Sequence, residues 1–175
     1  MKIEEIFTTY WSQVTLLIIG IGYFIKRIFD QKSKKLEINH SLFQQNRINA
    51  VSKFLSTYAK TELMWREVAI YKILSKELKA DQIDNIIWPP LREMKMSVLE
   101  LKIYFEGDTH NGFEKLLEGF LSINSKLIDL YSEKNEDLLL IQKSNEFHSF
   151  KDKTLIKNEE LLTNLCKEIR KIYKS

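Results

Sequence analysis

The chain has 175 residues, with 27 Lys plus Arg against 24 Asp plus Glu, five Gly, two Pro and one Cys. A single cysteine excludes an internal disulfide framework and fits a reducing compartment, and so few Gly and Pro exclude a loop-rich or disordered chain in favour of helices. The first 35 residues hold six basic and three acidic residues, while the remaining 140 balance at 21 against 21, which excludes the concentrated positive charge that a nucleic-acid backbone requires.

Residues Ile6 to Ile25 form a twenty-residue run without one charged side chain. As a helix this run would span roughly 30 Å, the thickness of a bilayer's hydrocarbon core. Phe7, Tyr10 and Trp11 near one end, and Tyr23 and Phe24 near the other, give the aromatic pattern expected at headgroup depth. Lys26, Arg27, Lys32, Lys34 and Lys35 follow the run, whereas Lys2 precedes it beside Glu4 and Glu5. The pattern predicts one transmembrane helix, N-terminus outside, with the remainder cytoplasmic and the basic cluster on anionic lipid headgroups. The acidic start and the basic residues after the run speak against a cleaved signal peptide. Gln13, Gly20 and Gly22 are the candidates for contact between membrane helices, although the two glycines do not form a small-xxx-small pair. Residues 1–35 then form an anchor with a basic juxtamembrane segment, and residues 36–175 a cytoplasmic helical domain.

After the basic stretch no Gly or Pro appears until Pro89. Residues 34–79 read as one long helix, or two broken near Lys60 to Glu62. Ile48, Val51, Leu55, Tyr58, Trp65 and Ala69 lie on one stripe, and Leu63, Ile70, Leu74 and Leu78 on a neighbouring one. A heptad that begins Leu36, Phe43, Ala50 and Thr57 decays quickly, so a sustained coiled coil is not indicated. Asp81 reads as an N-cap, and Trp88-Pro89-Pro90-Leu91 as the end of that short helix and the start of the next, which carries Met94, Val98, Leu101 and Phe105.

Residues 107–112, GDTHNG, read as the clearest loop, with Asn111 capping a helix striped by Phe113, Leu116, Leu117, Phe120, Leu127, Ile128 and Tyr131. A turn or exposed helical end is expected over 132–137. Leu138 to Ile141 continue as helix or form a short strand, Phe147 to Asp152 connect, and a final helix carries Leu155, Leu162, Leu165, Ile169 and Ile172. No βαβ alternation or internal repeat is visible. The stripes predict antiparallel helices packed on one another, an all-α bundle.

No catalytic, cofactor or metal constellation is legible. His40, His110 and His148 stand far apart, the latter two in expected polar connections, without HExxH or Cys/His spacing. Cys166 reads as a small apolar residue on a helix face. Glu62, Arg66 and Glu67 flank Trp65 and could approach Glu93 or Glu100, but helix-surface ion pairing explains them as well. The expected function is therefore non-enzymatic: a membrane-anchored scaffold or regulatory protein working through protein partners or a homo-oligomer. Phe43, Val51, Tyr58 and Trp65 are its contact candidates. The alternative is a small membrane-disrupting effector or toxin.

Overall fold

The computed structural model describes the backbone of residues 3–132 and 137–173, and the side chains of residues 15, 18–132 and 140–173. Five helices follow in order: α1 (Ile3–Glu67), α2 (Ile70–Leu74), α3 (Ala80–Leu101), α4 (Gly107–Ser132) and α5 (Asp137–Ile172). The chain divides into two compact units, Met1–Asn46 and Arg47–Ser175, and α1 contributes to both. Met1–Asn46 contains no described element besides α1.

Arg47–Ser175 is a bundle. Thr57 meets Ser97 while Lys53 and Lys60 meet Glu100 and Glu93, so α1 and α3 run antiparallel. Gly112 faces Leu165 and Gly119 faces Asn158, so α4 and α5 also run antiparallel. An aromatic chain ties the layers together. Phe54 of α1 meets Phe113 of α4 edge-on at 4.8 Å, Tyr58 meets Phe120 at 5.2 Å, and Trp65 lies 6.3 Å from Phe147 of α5. Such contacts add to the stability from area burial alone.

The all-α bundle stands, but the transmembrane helix does not. Among the described residues no helix is long and apolar enough to cross a membrane. The side chains of residues 6–14, 16 and 17 lie outside the described residues, Gln13 among them. In sequence, Thr8, Thr9, Ser12, Gln13 and Thr15 dilute the run's apolar character. The single-pass topology, the outside N-terminus, the lipid-headgroup partner and the membrane-disrupting alternative fall with the helix that was to carry them.

Element boundaries also differ. The break after the long helix comes at Val68 and Ala69, not at 60–62. Pro89 and Pro90 sit inside α3 rather than ending a helix. Each lacks an amide hydrogen, but Pro90 lies one turn before buried Met94, and its carbonyl oxygen lies 3.2 Å from the Thr61 hydroxyl. The N-terminus of α3 is held by Gln82, whose Oε1 accepts the Lys79 amide at 2.9 Å, rather than by Asp81. The expected loop 107–112 is the first turn and a half of α4. Gly107, at φ +58°, makes the turn that only glycine adopts readily, and buried His110 and Phe113 fix the helix from there.

No connection interrupts α5 at 147–152. Leu140, Ser144, Phe147, Lys151, Leu155, Asn158, Leu165 and Ile169 are all buried at helical spacing, so one face runs unbroken from Leu140 to Ile169. The expected turn at 132–137 lies mostly outside the described residues.

Candidate functional site

Along α1 in the bundle the buried residues are Arg47, Ala50, Phe54, Thr57, Tyr58, Thr61 and Trp65. Stepping back from Trp65 by three or four residues at a time leads through Thr61, Thr57, Phe54, Ala50, Arg47, Phe43, Asn39 and Leu36. The same steps continue through Lys32, Ile28, Ile25 and Ile21 to Ile18. The periodicity that makes the bundle core therefore continues into Met1–Asn46. There its apolar members are open to solvent: Ile18 is 63%, Ile21 53%, Ile25 49%, Ile28 40% and Leu36 70% exposed. Large apolar residues aligned on an exposed helix mark a contact surface more often than scattered single ones do.

The charges beside this stripe have one dominant sign. Between residues 26 and 35, Lys26, Arg27, Lys32, Lys34 and Lys35 face a single acidic residue, Asp30. Lys26, Arg27, Asp30 and Lys34, with Tyr23 and Gln31, line a shallow groove of about 510 Å³. All five basic side chains are exposed.

The other predicted contact residues do not gather at one place. Gly20 and Gly22 have nothing within 4 Å of where a Cβ would stand. Phe43 is 44% exposed and Val51 half-buried against the core. Tyr58 and Trp65 are buried, at 4% and 0% exposure, so in this conformation they hold the bundle together and present nothing to a partner. Burial raises the Tyr58 phenol well above its ordinary pKa, assisted by Glu62 and Glu159 and opposed by Arg66. Its hydroxyl and the Trp65 indole nitrogen have no hydrogen-bond partner among the described residues.

Three of the acidic residues considered for a polar pocket, Glu62, Glu93 and Glu100, are dispersed into separate ion pairs. Glu93 and Glu100 each pair with a lysine of α1, at 3.0 and 2.6 Å, and Glu62 with Arg66 at 2.6 Å. That hydrogen bond, and then the charge behind it, raises the Arg66 pKa. His110 is buried rather than solvated, with Nδ1 3.6 Å from Glu114 and Nε2 without a hydrogen-bond partner among the described residues, while His40 and His148 are exposed. Cys166 is half-buried. Among the described residues no three His, Cys, Asp or Glu side chains are placed to hold a metal ion.

Sequence reading passed over the open stripe because Lys32, Asn39 and Arg47 interrupt it. It also treated Leu36, Phe43, Ala50 and Thr57 as a decaying heptad. The signal was their phase, which small and hydroxylated residues keep as faithfully as large ones. No known protein family, curated protein or solved structure matches the chain.

Proposed function

We propose that the protein is a helical interaction module. Arg47–Ser175 is its folded base, and the stripe from Ile18 to Leu36 on α1 receives a helix of another polypeptide. The carrying observation is the exposed isoleucine series at positions 18, 21, 25 and 28 with Leu36, in phase with the bundle's own core face. Contact rather than catalysis is the reading, supported by the dispersal of Glu62, Glu93 and Glu100 into separate ion pairs.

Covering five such side chains contributes about 5 kcal/mol once their existing partial burial is discounted. Association costs about 4 to 15 kcal/mol in lost freedom. Apolar burial on this stripe therefore sustains only modest affinity, and polar complementarity must supply the remainder.

A photo-crosslinking residue placed at Ile25 or Leu36 in the source cells tests the reading. Adducts with a polypeptide are expected at both positions, lost when Ile21→Asp and Ile28→Asp are added, and absent for the same probe at exposed Ile156 of α5. Absence of polypeptide adducts at Ile25 and Leu36 would overturn it.

A further inference from the structure

We infer that the occupant of the α1 stripe is an amphipathic helix whose apolar seam is flanked by Asp and Glu, and not a second copy of this chain. The inference rests on the proposed docking function and names its partner. It begins from continuity. In the bundle, the α1 face at Ala50, Phe54, Thr57, Thr61 and Trp65 is covered by helices. The same periodicity at Ile18, Ile21, Ile25, Ile28 and Leu36 suits the same kind of cover, a helix laid along it with side chains interdigitated.

Charge decides which helix. Two copies paired in parallel would set each of Lys26, Arg27, Lys32, Lys34 and Lys35 beside its own counterpart, with Lys32 inside the seam. Paired antiparallel about residues 30 and 31, they would set Lys26 against Lys35 and Arg27 against Lys34. Like charges so placed repel. An antiparallel register about residues 27 and 28 covers Leu36 without opposing Lys to Lys, but it crowds Lys26 and Arg27 of both copies about the dyad and sets Lys32, Lys34 and Lys35 opposite Tyr23, Ile21 and Gly20, with no carboxylate to meet them. A helix bearing carboxylates on both flanks meets the five basic side chains favourably, and one acidic residue in its seam meets Lys32. A single polar seam position of this kind sets register and partner choice.

The test uses the purified full chain and two synthetic four-heptad peptides with leucine seams, one flanked by glutamate and one by lysine. Binding is followed by fluorescence anisotropy, and the mass of the chain alone by sedimentation. The glutamate peptide is expected to bind at least about tenfold more tightly than the lysine peptide, with affinity falling as salt is raised. The variant Lys32→Glu/Lys34→Glu/Lys35→Glu is expected to reverse that preference, an outcome that loss of folding cannot mimic. Equal binding of both peptides would overturn the acidic partner. So would a chain that dimerises through the stripe and binds neither peptide, although self-association would leave the docking function standing. Uptake by vesicles of anionic lipid with no peptide binding would overturn both.

Discussion

Gly119 of α4 and Asn158 of α5 compete for the same volume: a Cβ on Gly119 would stand 2.3 Å from Asn158 Oδ1. Asn158 is 1% exposed, and its Nδ2 donates to the Leu116 carbonyl at 3.1 Å. Seven residues earlier, about two helical turns, Gly112 meets the Leu165 side chain in the same manner, with Cδ1 at 2.9 Å from its absent Cβ. Small residues at these two positions let the helices approach closely enough to bury a polar amide with its hydrogen bond made.

Gly119→Ala is therefore expected to destabilise the bundle by about 1–3 kcal/mol, since a hydrogen-bonded amide must be displaced. Gly112→Ala meets only the tip of a flexible leucine and gains up to about 1 kcal/mol of helix propensity. It should fall close to neutral. Denaturant melts of both variants check the contrast, and Asn158→Ala combined with Gly119→Ala should cost less than the sum of the single changes.

Thr57 and Ser97 join α1 to α3 inside the core, with 2.9 Å between their hydroxyls. Thr57 also lies 2.9 Å from the Phe54 carbonyl and Ser97 2.7 Å from that of Met94. Two hydroxyl hydrogens serve three contacts. Ser97→Ala and Thr57→Val should each cost about 1 kcal/mol, and together less than twice that. Lys53→Ala, which breaks an exposed ion pair nearby, should change stability by less than about 1 kcal/mol. Chemical denaturation of the three variants separates the buried link from the surface one.

Tyr58 predicts an alkaline limit. Its folded pKa lies above the ordinary value of 10.0, chiefly because burial disfavours the phenolate. Stability from this group is whole below about pH 10 and is lost as the pH climbs beyond it, because the unfolded chain ionises first. Tyr58→Phe should match or exceed the parent at pH 7, since the hydroxyl it removes is buried without a partner among the described residues. The variant should lose less stability between pH 9 and pH 11, a difference read from paired urea titrations.

Arg47, almost fully buried, lies between two rings, 4.7 Å from the centroid of Phe105 and 4.9 Å from that of Tyr173. Burial raises the Tyr173 phenol, while the nearby guanidinium pulls it back. Arg47→Ala should cost about 1–2 kcal/mol through lost stacking and packing. Arg47→Lys should not restore it, because an ammonium lacks the flat faces that two rings cover. Thermal melts of the two variants decide this.

The helical class and the bundle were legible because Phe113, Leu116, Phe120 and Leu127 mark one helix and Leu155, Leu165 and Ile169 another. The face of α1 was less so. Large residues drew attention to Ile48 and Leu55, which are 48% and 38% exposed, whereas the core takes Ala50, Thr57 and Thr61 from the adjoining positions. The threonines fit there because Thr61 reaches the Thr57 carbonyl at 2.8 Å and Thr57 reaches Ser97. Buried Lys143, Ser144, Lys151 and Asn158 hid the length of α5 in the same way. The apolar run at 6–25 misled in the opposite sense, because its length, aromatic ends and basic flank point to lipid while Thr8, Thr9, Ser12, Gln13 and Thr15 dilute its apolar character.

Amide hydrogen exchange across α1 tests the docking claim most directly. In the full chain alone, amides of residues 50–67 should be protected to the level of the bundle, and those of 18–46 should exchange orders of magnitude faster. Adding the glutamate-flanked peptide should slow exchange within 18–46 and leave the bundle unchanged. If residues 18–46 are as protected as the core in a monomer without peptide, or if the peptide protects only the bundle, the stripe is not a docking face.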